Sequence, residues 1–198
     1  MSKEYRVPES VRVVTRAVPV ESVRRVVLHD EVTEIAEDSF RDWTGLREVV
    51  FGAGSSLKRV GALAFANTAL ESFVAPRSLK TIQTGALRDC KDLKEVRLNE
   101  GLESLGEGVF AGSGLETIYI PSTLREAPKG ALFNCKSLRK VLVAEGCKVD
   151  VKGCVWFTAD VETVAPDAPA AEPDSTPAED EEALRRMLDE REAQVAEL

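Results

Sequence analysis

The sequence predicts a right-handed solenoid of parallel β-strands, and three recurring patterns predict it. Leu46, Leu70, Leu93, Leu115 and Leu138 follow one another at intervals of 24, 23, 22 and 23 residues. Each opens the pattern Leu-x-x-φ-x-φ, where φ is apolar or small: Val49 and Phe51, Phe73 and Ala75, Val96 and Leu98, Ile118 and Ile120, Val141 and Val143. A second apolar pair and a compact apolar knob then precede the next Leu. One unit of this size cannot hide three apolar corners by itself, whereas stacked coils bury them in continuous columns.

The alternation after each Leu reads as a strand with one buried face. The second corner is marked by Val32 and Ile35, Leu57 and Val60, Leu79 and Ile82, Leu102 and Leu105, and Leu124 and Ala127. The knobs are Ser39-Phe40, Ala64-Phe65, Ala86-Leu87, Val109-Phe110 and Ala131-Leu132. At the N-terminus Val7-Pro8-Glu9-Ser10-Val11-Arg12-Val13-Val14 reads against Ile120-Pro121-Ser122-Thr123-Leu124-Arg125-Glu126-Ala127, giving about seven coils over residues 5–158. Terminal units must act as caps. Cys147, Val149, Val151, Cys154, Val155, Trp156 and Phe157 break the period, and their bulk suits a lid over the last coil. In such a stack Phe110→Ala, in a central coil, is expected to cost ~3–5 kcal/mol, and Phe40→Ala, nearer the end, less.

These residues resemble the BspA-like subclass of leucine-rich repeats. The resemblance rests on Val7-Pro8-Glu9-Ser10-Val11, Val60-Gly61-Ala62-Leu63-Ala64-Phe65, Leu105-Gly106-Glu107-Gly108-Val109-Phe110, and the small Cys90 and Cys135 ahead of the next Leu, and it covers roughly residues 5–157. Ile35-Ala36, Ile82-Gln83 and Ala127-Pro128 lack the Gly of that pattern. The resemblance implies a leucine-rich-repeat solenoid of parallel β-strands with short helical or irregular returns. Its best-known members are surface proteins that bind host or matrix proteins.

Beyond the coils the composition changes. Residues 159–175 are rich in Pro, Ala and acidic side chains and read as a disordered linker. Thr176-Pro177-Ala178-Glu179 then combines an N-cap, a first-turn Pro and a capping-box Glu, which predicts an amphipathic acidic helix over 176–198. Leu184, Leu188, Val195 and Leu198 share one face of it and are expected to contact a second partner, a second copy of the chain or the solenoid itself, the alternative being a stripe too short to hold and a helix that stays partly frayed.

The net charge of -8 is concentrated in the tail: residues 161–198 carry 12 Asp/Glu against 3 Lys/Arg, while residues 1–160 carry 22 against 23. A neutral body offers no basic stripe for phosphate backbones, so nucleic acid is not an expected partner. No apolar run is long enough to span a bilayer, and Met1-Ser2-Lys3-Glu4-Tyr5-Arg6 does not read as a secretory signal, so a cytoplasmic location without membrane insertion is expected.

With alternate strand residues pointing out, three outward rows can be written. One runs Arg25, Glu48, Ser72, Glu95, Thr117, Lys140; the next Val27, Val50, Val74, Arg97, Tyr119, Leu142; the third His29, Gly52, Pro76, Asn99, Pro121, Ala144. Aligned apolar residues on an open sheet form a contiguous patch of the kind that marks contact surfaces, and Tyr and Arg are enriched at binding hot spots. The partner-binding candidates are therefore Glu48, Val50, Val74, Glu95, Arg97, Tyr119, Lys140 and Leu142. Two other readings stay open: the tail helix covers the row, or β-propensity alone favours these residues. At the bend before each strand Arg47, Glu71, Lys94, Glu116 and Arg139 alternate in sign, which pins register in an in-register stack.

Chemistry has little support. Cys90 and Cys135 stand two coils apart, roughly 10 Å, too far for a disulfide, and read as buried thiols. Cys147 and Cys154 lack Cys-x-x-Cys spacing and a His partner, so neither metal nor cofactor is expected. His29 is the one histidine, so any nucleophile–His–acid arrangement passes through it. Acidic pairs such as Asp38 and Asp42, or Glu100 and Glu103, fall in turns, where solvated or capping roles are usual. The expected function is a non-enzymatic protein–protein interaction scaffold. A carbohydrate-binding or carbohydrate-cleaving solenoid is the rival, and a surface adhesin fits if an export signal lies upstream.

Overall fold

The computed structural model describes residues 3–16, 22–125, 130–148 and 160–165. All of them lie in one of the two units into which the chain divides, Met1–Pro166. The helix expected over 176–198, with Leu184, Leu188, Val195 and Leu198, lies outside the described residues, as do Trp156, Cys154 and most of the linker.

The chain winds as a parallel β-solenoid. Its front face carries β1 (Lys3–Arg6), β3 (Val23–Leu28), β5 (Glu48–Phe51), β7 (Ser72–Val74), β9 (Glu95–Arg97), β11 (Thr117–Ile120), β12 (Lys140–Ala144) and β13 (Asp160–Val164). A second face carries the short strands β2 (Val13–Val14), β4 (Glu34–Ile35), β6 (Arg59–Val60), β8 (Thr81–Ile82) and β10 (Ser104–Leu105). Every ladder is parallel, in the orders β1-β3-β5, β10-β8-β6-β4-β2 and β13-β12-β11-β9-β7. The repeat dictates this order, because each turn of the coil sets the same pattern one strand spacing further along.

The columns read from the sequence are the core. Val26, Phe73, Val96, Ile118 and Val141 point inward from the front strands, with Val49 half-buried in the same column. Leu46, Leu70, Leu93, Leu115 and Leu138 line the bend, and Ile35, Val60, Ile82 and Leu105 the second face. Phe40, Phe65, Leu87, Phe110 and Leu132 fill the third corner, where the Phe40 and Phe65 rings stack at 5.3 Å.

The returns are turns rather than helices, and among the described residues no helix occurs. Among the described residues, five returns each hold two left-handed residues flanking the knob. The first set is Asp38, Leu63, Gly85, Gly108 and Gly130; the second is Asp42, Asn67, Asp89, Gly112 and Asn134, with φ between 54° and 73°. Gly, Asn and Asp reach that conformation at least cost, and two reversals four residues apart leave no room for a helical turn. Leu63 adopts it against its own preference.

Both ends differ from the sequence reading. At the C-terminal end β13 extends the front sheet to Val164, past the expected boundary at 158, pairing Val161 with Val141 and Thr163 with Val143. Thr158 stands where the repeat has Leu, so the alternation Val161, Thr163 came without its marker. At the N-terminal end Trp43, 2% exposed, packs edge-on against Phe40 at 5.2 Å and Tyr5 at 6.1 Å. Phe40 is thereby closed in from both sides, so it belongs to the core as fully as Phe110, and the milder loss expected on its truncation no longer follows.

Candidate interaction face

The ladder registers fix which outward residues are neighbours. One row runs Glu4, Arg25, Glu48 and then Ser72, Glu95, Thr117, Lys140, Asp160. The next runs Arg6, Val27, Val50 and then Val74, Arg97, Tyr119, Leu142, Glu162. Val74, Arg97, Tyr119 and Leu142 therefore stand side by side on four consecutive strands, flanked by Glu95 and Lys140. Glu48 and Val50 do not join them in one ladder, because none connects β5 to β7. The stripe expected as continuous is in two segments.

Val74 is 52% exposed, the most open apolar side chain of the row. Val50, Glu95, Arg97, Tyr119 and Leu142 are half-buried by their neighbours, whereas Glu48 and Lys140 are exposed. Tyr119 is held in place: its hydroxyl donates to Glu100 Oε1 at 2.5 Å, and the same carboxylate accepts from Ser122 N at 3.1 and 3.2 Å and from Ser122 Oγ at 2.8 Å. Glu100 is thus the anchor of the tyrosine and not a merely solvated turn acid. Sequence gave no signal for this, since the pairing spans adjacent coils through a corner.

Around these residues the face is zwitterionic. Arg25 lies between Glu4 and Glu48 at 3.6 and 3.3 Å, and Lys140 meets Glu162 at 2.6 Å. The alternating bend charges are neighbours, as Glu71 N→Arg47 O, Lys94 N→Glu71 O, Glu116 N→Lys94 O and Arg139 N→Glu116 O bonds of 2.9–3.1 Å show. Among the described residues only Arg47 and Glu71 in this row close to an ion pair, at 2.6 Å. Exposed pairs contribute ~0–1 kcal/mol, so register rests on the core columns more than on these charges.

Polar groups inside the coil serve the stack. Thr68, Cys90, Ser113 and Cys135 occupy one column ahead of the repeat Leu. The Thr68 hydroxyl and the Cys90 thiol both donate to Phe65 O, at 2.9 and 3.2 Å, and the Cys135 thiol donates to Phe110 O at 3.1 Å. Burial pushes both thiols above their usual range, so they are neutral hydrogen-bond donors rather than nucleophiles. His29 donates from Nε2 to Pro8 O at 3.0 Å and accepts from Glu31 N at Nδ1 at 3.3 Å, which occupies both ring nitrogens in a corner. Among the described residues no group of three or more His, Cys, Asp or Glu is placed to hold a metal ion, and no helix is long and apolar enough to cross a membrane.

The BspA type leucine-rich repeat region model matches residues 20–139 in six copies. Among solved structures, a T. pallidum leucine-rich repeat protein is similar at 19% identity and TM-score 0.63, over 81% of this chain and 86% of that one. A leucine-rich repeat protein from Eubacterium ventriosum is similar at 20% identity and TM-score 0.59, over 64% of this chain and 33% of that one. The pneumococcal vaccine antigen PcpA is similar at 16% identity and TM-score 0.50, over 81% of this chain and 60% of that one. At these identities the likeness establishes the fold alone. No curated protein matches the sequence. The family model spans more than half of the chain, and the chain belongs to the BspA-type leucine-rich repeat family.

Proposed function

We propose that the front face is a non-catalytic protein-binding surface centred on Val74, Arg97, Tyr119 and Leu142, with Glu95 and Lys140 beside them and Glu48 and Val50 on the adjoining segment. The observation that carries the reading is the placement of an open apolar side chain, a guanidinium, an anchored tyrosine and a leucine on four consecutive laddered strands. A tyrosine fixed by Glu100 loses little rotamer freedom on binding, and preorganised aromatic and arginine side chains are what interface centres use. The tail segment 176–198, through Leu184, Leu188, Val195 and Leu198, supplies a second contact to a partner or a second copy in the same reading. A cytoplasmic location belongs to the same reading.

The test is affinity capture from source lysate with the intact chain, a chain ending at residue 165, and a Val74→Asp, Leu142→Asp double variant, followed by titration of the purified partner. Loss of a partner with the double variant alone supports the front face. Loss only on truncation moves the site to the tail and removes this assignment. Capture of a glycan in place of a protein replaces the reading with the carbohydrate-binding one.

A further inference from the structure

The front sheet contains a joint. Neighbouring front strands are laddered throughout except at β5 and β7, where one sheet ends and the next begins. Across this step Glu71 N donates to Arg47 O at 3.1 Å, Arg47 and Glu71 pair at 2.6 Å, and the Phe51 and Phe73 rings meet edge-on at 5.9 Å. On the other two sides the same coils are continuous. Arg59 and Val60 ladder with Thr81 and Ile82, and the returns are joined by Leu63 N→Thr84 O, Phe65 N→Ala86 O and Asn67 N→Arg88 O bonds of 2.8–3.0 Å.

The corner after β5 differs in length from the others. Phe51 to Leu57 takes six residues, where Leu28 to Val32, Ala75 to Leu79, Leu98 to Leu102 and Ile120 to Leu124 each take four. The longer corner leans on the coil before it. Gly52 N donates to Leu28 O at 3.3 Å and Ser56 N to Asp30 O at 2.7 Å. A Cβ on Gly52 would lie 1.8 Å from Asp30 Oδ1, and one on Gly54 2.8 Å from Oδ2. Both glycines lie against the exposed Asp30 side chain, and the backbone of the corner bonds backward, to Leu28 and Asp30.

We propose that this joint is a hinge: β1-β3-β5 and β7-β9-β11-β12-β13 are two plates whose separation at Val50 and Val74 changes while the second sheet and the returns hold the coils together. A parallel ladder turns successive amides to opposite sides. Gly52 N points back to Leu28 and Ala75 N forward to Arg97. The amides of Val49 and Phe51 therefore face the joint from one side, and those of Ser72 and Val74 from the other. Their counterparts between β9 and β11, where the ladder is intact, are Val96, Leu98, Thr117 and Tyr119.

Residue-resolved hydrogen exchange on the intact chain reads this directly. Opening of the joint alone makes the four joint amides exchange on the order of tenfold faster than the four counterparts, because local openings cost less than global unfolding. Equal protection of the two sets overturns the hinge. Deleting Ala53 and Gly54 gives the corner its usual length and is expected to slow the joint amides to the rate of their counterparts; a folded deletion variant with unchanged fast exchange overturns the corner as the cause. Arg47→Ala keeps the question answerable if the deletion does not fold: acceleration confined to the joint amides supports the hinge, and a uniform acceleration overturns it.

Discussion

In the returns one backbone demand is met again and again: Asp38, Leu63, Gly85, Gly108 and Gly130 turn left-handed before the knob, and Asp42, Asn67, Asp89, Gly112 and Asn134 after it. On the front face nothing recurs in the same way, and the row that holds Tyr119 reads Arg6, Val27, Val50, Val74, Arg97, Tyr119, Leu142, Glu162. Both surfaces belong to the same coils, so the contrast is not one of fold. Return positions are constrained by φ and by the volume under the knob, whereas front positions need only a side chain that tolerates a pleated surface. The solenoid thus concentrates its repetition on one side and leaves the other free to vary.

The largest effect that tests this contrast lies at the knobs. Phe110→Ala and Phe40→Ala are each expected to lose ~3–5 kcal/mol in urea denaturation, since both rings are fully buried. Leu142→Ala, on the front, should lose about 1 kcal/mol or less, because only part of its side chain is buried. A Phe40→Ala loss well below that of Phe110→Ala would show that Trp43 does not close the N-terminal end, and a front-face loss as large as either would erase the distinction.

A smaller effect separates close approach from backbone conformation within the stack. A Cβ on Gly106 would meet Thr84 N at 2.2 Å and Gln83 C at 2.4 Å, so Gly106→Ala must push two coils apart, at ~1–3 kcal/mol. At Gly108 the same Cβ would find only the Ala111 methyl, at 3.6 Å, and the cost is that of a left-handed alanine at φ 57°, ~1–2 kcal/mol. Thermal unfolding of the two variants compares them. A Gly106→Ala change milder than Gly108→Ala would mean that coil spacing yields more easily than a turn.

How much of this was legible in the sequence follows the same division. The columns of Leu, Val, Ile and Phe were readable because burial repeats them at a fixed period, and the front rows followed from strand alternation alone. The left-handed columns carried a signal, Asp, Asn or Gly immediately before and two residues after each knob, but Leu63 and the mixed residue types blurred it. Trp43 was invisible as a cap because it occupies the column of Thr68, Cys90, Ser113 and Cys135 and matches none of them. The anchor Glu100 and the joint after β5 were missed for a common reason. Both depend on how a corner of one coil sits against the next, and a two-residue change in corner length falls within the spread of a period that already varies from 22 to 24.

The smallest effect lies in a return where charge and backbone conformation meet. Asp89, left-handed at φ 58°, accepts from Lys91 Nζ at 3.0 Å, and Arg88 Nε lies 3.3 Å from its other oxygen. Lys91 Nζ also donates to Gly112 O at 2.7 Å, so the pair fastens one return to the next. The Lys91 hydrogen bond holds the Asp89 carboxyl below its ordinary value of 3.8, against a modest opposing effect of burial. A depressed folded value contributes stability that is present above the unfolded value and is lost as pH falls through the folded one. Asp89→Asn keeps a residue that tolerates the left-handed conformation and removes only the charge. Melting temperatures measured from pH 7 down to 3 should therefore show wild type slightly above the variant at neutral pH, with the gap narrowing below about pH 4. A gap that stays constant with pH would assign the residue's contribution to the turn itself and leave the return governed by conformation alone.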